Sequence, residues 1–247
     1  MKYFKYFGKY DYSMYGEILN QTDITQFAEI NKKISDNIGY YNYYSVLDGE
    51  RPDHISFKLY GTPDYYWTIF LMNDNLKNFY KDWYKSSSVL DTYLKESYPY
   101  FVIEFENDIS GKFSIGEEVI SAINIHVIAE IVDINTNNYQ LVVRNVQNRG
   151  VYMDFESDLE GLFTAESGVR GITSNGFAIS TGFYKQYHAT KYWCNDKGET
   201  VNPEYATQRV SIEDDAKEIN DANGQIRVIQ PQYIKSVISD FVEEMKK

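Results

Sequence analysis

The sequence predicts an α+β protein: a helical module organised on one strand-helix-helix stretch, with additional helices and a hairpin, plus an inserted small antiparallel β-barrel or sandwich. Three observations predict it. Strand, turn and helix signals succeed one another without a gap from Tyr44 to Asn75. From Tyr100 to Tyr184, β-branched and aromatic runs alternate with Asp-, Asn- and Gly-containing turns at roughly ten-residue spacing. Near the C-terminus, Ile234, Val237, Ile238, Phe241, Val242 and Met245 keep the period of one helix face.

Residues 1–20 are rich in Tyr and Phe, contain Gly8 and Gly16, and hold no sustained period; they read as an extended N-terminal arm. Exposed aromatics in a segment without its own core imply burial against something. A helical module is expected over 21–99. Asp23 to Gln26 is a capping-box-like start, and Phe27, Ile30 and Ile34 keep helical spacing behind it. The run Tyr40–Val46 reads as a strand stopped by Asp48-Gly49, where glycine accepts positive φ without a Cβ clash. Pro52-Asp53 opens a short helix with Ile55 and Leu59 on one face, and Gly61 is its left-handed stop. Thr62-Pro63-Asp64 restarts a helix with a hydroxyl cap, a proline at the first position and an acid at the positive dipole end. Tyr66, Ile69, Phe70 and Asn73 come next on one face, flanked by Trp67 and Leu71. Beyond Asn75 the period fades, leaving an aromatic loop with Phe79, Tyr80, Trp83 and Tyr84; Ser87-Ser88 then caps a helix carrying Leu90, Tyr93 and Leu94.

Residues 100–184 form the inserted all-β domain. Residues 185–247 are a hairpin turning at Asn195-Asp196-Lys197-Gly198, an acidic helix capped by Ser211, the strand IRVI and the terminal amphipathic helix opened by Pro231, expected to pack back on the helical module.

Composition narrows the function. With 36 acidic against 24 basic residues, the net charge of -12 argues against a phosphate-backbone partner. Aromatics make up 17%, with 24 tyrosines, which suits a protein with many protein contacts. The single Cys194 excludes an internal disulfide and fits a reducing cytoplasm. No 18-residue apolar run and no signal-peptide core occur, so no membrane contact is expected.

Tyr44, Val46, Gly49, Glu50, Ile55, Tyr60, Gly61, Ile69 and Asn73 together resemble the signature of a LysM domain. The wording is narrower still: Arg51, Pro52, Ile55, Tyr60, Gly61, Pro63, Tyr66 and Trp67 are similar to the LysM-like segment of contractile-phage tail proteins, above all the small baseplate wedge subunit of T-even-type phages. The second LysM strand is not visible after Asn75. The order of acidic helix, strand and terminal helix resembles the same family, so the likeness covers about 20–98 and 185–247. FSIGEEVIS and LFTAESGVRG are similar only to short phrases of small phage-tail β-domains. The resemblance implies a structural virion protein of a tail baseplate that joins neighbouring wedge subunits. It implies wedge and sheath-initiating proteins as partners, with several copies per virion in six-fold arrangement, assembled in the host cytoplasm. Phe79, Tyr80, Trp83 and Tyr84 are the candidate partner contacts. The alternative is a LysM-type peptidoglycan- or chitin-binding protein.

Catalytic, cofactor and metal residues are not found. His54, His126 and His188 lack partners at ligand spacing. Asp133 to Asn137 imitates the start of a calcium loop, but Asn138 stands where its glycine belongs and Arg144 where its glutamate belongs. Glu117-Glu118 and Glu213-Asp214-Asp215 are sequence neighbours that do not face one another.

Overall fold

A computed structural model describes residues 7–23, 37–121, 128–145 and 167–244. Strands and helices are mixed, as expected of the α+β class. Beyond Asp23, the helix expected through Ile34 lies outside the described residues, as do the apolar position Met245 and His126. The chain divides into two compact units, 1–87 with 219–247, and 88–218. These limits differ from those read in the sequence, because residues 185–218 group with the β-rich unit and only 219–247 return to the first.

In the first unit, β1 (Lys9–Met14) and β2 (Glu17–Thr22) pair antiparallel from Lys9↔Thr22 to Met14↔Glu17. From Lys9 onward, the segment read as an extended arm is therefore a hairpin. Tyr15 and Gly16 form its loop, with φ of 53° and 85°, and two positive φ values give the primed turn that matches strand twist.

β3 (Tyr41–Ser45) runs antiparallel to β13 (Gln225–Ile229), with Tyr43 opposite Arg227. Between them in sequence come α1 (Pro52–Tyr60) and α2 (Trp67–Met72). Gly61 ends α1 at φ 72°, its N–H bonding the Phe57 carbonyl. The second helix departs from expectation. Thr62 does cap through a hydrogen bond from the Asp64 N–H, but it caps a 3₁₀ turn over Pro63–Tyr65, and α2 begins only at Trp67. The buried Ser56 is the cause. Its hydroxyl donates to the Thr62 carbonyl at 2.7 Å, a group that an α-helix begun at Pro63 would offer to the Tyr66 N–H, and accepts the Tyr65 N–H at 3.2 Å, a first-turn donor that no helix satisfies itself.

α2 divides its side chains between two cores. Ile69 joins Val46, Ile55, Leu76, Ile226 and Val228. Trp67 and Met72 join Phe7 and Ile229 against Ile234, Val237, Ile238 and Phe241 of α6 (Ile234–Glu244). The terminal helix thus buries the stripe that its period marked.

The second unit holds α4 (Ser87–Ser97) and a closed six-stranded antiparallel barrel. Its strands are β4 (Phe101–Phe105), β5 (Glu118–Ser121), β6 (Ile128–Asn135), β7 (Gln140–Asn145), β8 (Gly168–Gly171) and β9 (Phe177–Lys185), in the order β4-β7-β6-β5-β8-β9. Alternate residues point inward, among them Ile103 and Phe105, Ala129 and Ile131, and Leu141 and Val143. The calcium-like stretch at Asp133 is the β6–β7 hairpin turn, where Asn135 accepts the Asn138 N–H and Tyr139 takes φ 56°. The Glu117 carboxylate is buried and acts as a clasp. It accepts the Thr173 and Ser174 N–H groups and the Ser174 hydroxyl on one oxygen, and the Ser114 N–H on the other.

β10 (Thr190–Cys194) lies between β11 (Thr200–Val201) and β12 (Gln208–Ser211). The β10–β11 turn is closed by Asn195, whose side chain accepts the Lys197 and Glu199 N–H groups. Ser211 and Asp214 form a reciprocal capping box for α5 (Ile212–Asn223). His188 pairs with Glu213 at 2.6 Å.

Candidate interaction surface

The residues that carried the sequence signature converge on one unit, built as strand, helix, helix and distant strand. Tyr44 donates its hydroxyl to Glu50 at 2.7 Å and accepts from Lys58 at 2.8 Å. Glu50 also accepts the Leu47 N–H at 3.1 Å, closing the turn in which Gly49 has φ 73°. Burial pushes the Glu50 carboxyl up, but the hydrogen bonds from Tyr44 and Leu47, with Lys58, outweigh it and hold the carboxyl below its ordinary range. Burial raises the Tyr44 hydroxyl.

A folded-state value below the unfolded one means that Glu50 contributes stability above the ordinary glutamate value of 4.5, and that this contribution is lost as pH falls through the lowered value. Glu50→Gln is therefore expected to narrow the stability difference between pH 7 and pH 4. Thermal melts of both proteins check this; an unchanged difference would remove Glu50 from the account.

Arg51 precedes α1 and forks onto Asp53 at 3.1 and 3.2 Å, while Pro52 and Ile55 are buried beneath it. Tyr60 donates to the Ile229 carbonyl at 2.8 Å, and burial pushes its hydroxyl up to about 12. Pro63 opens the 3₁₀ turn, Tyr66 is half-buried, and burial, with the neighbouring Asp53 second, raises its hydroxyl. Trp67 packs on Phe241 with ring centroids 4.5 Å apart. Asn73, only 4% exposed, donates to the Ile69 and Arg227 carbonyls at 2.7 and 2.9 Å and accepts the Arg227 N–H at 2.8 Å. Its amide takes the place of a neighbouring strand along the outer edge of β13.

The four candidate partner contacts separate. α3 (Phe79–Asp82) is capped by Asn78, whose side chain accepts the Tyr80 and Lys81 N–H groups. Trp83 donates to the Glu50 carbonyl at 2.8 Å and packs with Tyr84 against the Val46–Ile226 core. Phe79 lies at the rim, 5.8 Å from Phe70, and Tyr80 is 84% exposed. Trp83 and Tyr84 therefore hold the loop, and Tyr80 and the edge of Phe79 face outward.

Composition alone pointed at the N-terminal aromatics without arranging them. The hairpin register places Tyr10, Tyr12, Met14 and Leu19 on one exposed face, with Lys9, Asp11, Asn20 and Thr22 on the other. The missed signal was the alternation itself, which runs Tyr10, Tyr12, Met14 across the whole of β1.

Among the described residues no helix is long and apolar enough to cross a membrane, and no three His, Cys, Asp or Glu side chains gather as a metal site. Residues 3–110 match the family model described as base plate wedge protein 53. The match includes the hairpin and runs to the start of the barrel, while the C-terminal stretch read as similar lies outside it. No curated protein matches the chain.

Proposed function

We propose that this chain, whose residues 3–110 match the family model described as base plate wedge protein 53, joins neighbouring wedge subunits in the baseplate of a contractile phage tail. A structural place in the phage tail baseplate comes with the family. The joining role is our own reading, and the family match carries it.

The strand-helix-helix-strand unit closed by β3 and β13 supports a LysM-like module used here for docking to protein. Its signature residues Tyr44, Ile55, Tyr60, Ile69 and Asn73 are committed to its interior and to its own backbone. Tyr80 and Phe79, and the apolar face of the β1–β2 hairpin, are the surfaces offered to wedge and sheath-initiating proteins. Six-fold copies assembled in the host cytoplasm complete this reading.

Mass spectrometry of purified virions, before and after the tail is dissociated to free baseplates, tests it. The chain is expected in both preparations. Its absence from virions overturns the reading, and cosedimentation of the free chain with insoluble peptidoglycan would favour a glycan-binding role instead.

A further inference from the structure

The two edges of the β3–β13 ribbon are treated differently. Val46 donates to the Gly224 carbonyl and Gln230 to the Tyr40 carbonyl, each at 2.8–2.9 Å. With the register Tyr44↔Ile226 and Asn42↔Val228, this phase turns the backbone groups of Tyr40, Asn42, Tyr44 and Val46 toward β13. The N–H and C=O groups of Tyr41, Tyr43 and Ser45 therefore face away from it.

On β13, among the described residues, three of the six outward groups of Gln225, Arg227 and Ile229 are answered by side chains of the same chain. Asn73 bonds both the N–H and the C=O of Arg227, and Tyr60 bonds the C=O of Ile229. On β3, among the described residues, only the Tyr41 carbonyl receives anything, a 3.5 Å contact from the Gln230 side chain. Tyr43 is 59% exposed, and Ser45 is exposed.

Exposed edges in soluble proteins are blunted by Lys, Pro, bulges or inward charges. Tyr41–Ser45, sequence YNYYS, has none of these and pairs in register throughout.

We propose that the free edge of β3 accepts an extended segment of another baseplate subunit, added antiparallel or parallel as a third strand. The idea rests on the baseplate reading of the chain. Free groups recurring at every second residue are the chemistry that recognises a polypeptide backbone in the extended state. The Tyr43 ring, standing edge-on to Tyr41 at 5.7 Å with Arg227 over Tyr41, offers the added strand an aromatic neighbour, so an aromatic or β-branched residue belongs opposite it. The net charge of -12 sets two copies of this chain against each other, and exposed Asp48, just past the end of the strand, favours a basic residue on the incoming segment. The occupant is therefore a different chain.

Ser45→Pro tests this in the full-length chain. It removes one outward donor, leaves every bond to β13 in place, and puts proline where an edge strand tolerates it. Beside wild type and Ser45→Ala, its folding is expected to be unchanged by circular dichroism and melting, and its incorporation into baseplates to fall at least tenfold. Equal incorporation of Ser45→Pro and wild type overturns the proposal.

A photo-crosslinking residue at Tyr43, read by mass spectrometry of assembled baseplates, decides the matter should Ser45→Pro misfold. A crosslink to a short extended stretch of another subunit supports the proposal. A crosslink to a second copy of this chain, or none to any chain, overturns it. Failure of wild type to enter baseplates sinks the proposed function instead, so the two readings fail separately.

Discussion

Phe241→Asp is expected to abolish cooperative folding of the unit formed by residues 1–87 and 219–247. Phe241 is 5% exposed, packs on Trp67, and sits among Ile234, Val237, Ile238, Ile229 and Phe7. Truncating such a ring costs about 3–5 kcal/mol by itself, and burying an unpaired carboxylate adds several more. The sum rivals the roughly 5–15 kcal/mol that holds a domain together. Phe241→Leu keeps an apolar side chain and is expected to cost only about 1–2 kcal/mol. Near-ultraviolet circular dichroism and urea titration of the three proteins separate these outcomes. A Phe241→Asp variant within about 1 kcal/mol of wild type would show that the terminal helix does not hold the unit together.

Asn73→Leu should be nearly as damaging for a different reason. The substitution is apolar and of similar size, so no cavity explains its effect. It strands the Arg227 N–H and C=O on the outer edge of β13 and one bond to the Ile69 carbonyl. A buried group left without a partner costs about 1–3 kcal/mol, which sets the expected loss at about 3–4 kcal/mol. Asn73→Asp keeps an acceptor for the Arg227 N–H but sets a buried carboxylate oxygen against the Ile69 and Arg227 carbonyls, and is expected to cost at least as much as Asn73→Leu. The readout is the urea midpoint at constant slope. An unchanged midpoint in Asn73→Leu would mean that solvent already satisfies this edge.

Much of the first unit was legible because its punctuation is local. Gly61 stops α1 in the left-handed region, Thr62-Pro63 restarts the chain, and Ile55 and Ile69 lie in the core. The break in the second helix was not legible, since it depends on Ser56 reaching across to Thr62 and Tyr65. The missing strand of the ribbon was hidden by distance. IRVI reads as a strand, but nothing local says that it pairs with Tyr41–Ser45, and the pairing is sealed by Asn73 from a third segment. The barrel was visible as runs such as YFVIEF and YQLVVRNV, because alternation survives in each strand alone; closure through β8 and β9 depends on register, which no single strand encodes. The aromatic loop was read as one surface because exposure cannot be told from composition. Trp83 and Tyr84 turn inward on bonds and contacts made with residues far from them in sequence.

The separation of β3 from β13 also sets an order of events during synthesis. β3 is complete once Ser45 has emerged, and its partner strand begins at Gln225. At about 5–20 residues per second, the ~180 residues between them take about 10–35 s to make. A hairpin forms in microseconds. The barrel strands lie wholly inside that interval, so the barrel has time to close while Val46, Ile55 and Ile69 still lack Ile226 and Val228. The strand-helix-helix stretch from Tyr41 to Met72 therefore waits for Gln225–Ile229 to complete its core. A chain broken off before Gln225 cannot present β3 as part of a ribbon, so only products synthesised past that point display the ordered edge. Assembly through it would reject incomplete chains without any separate inspection step.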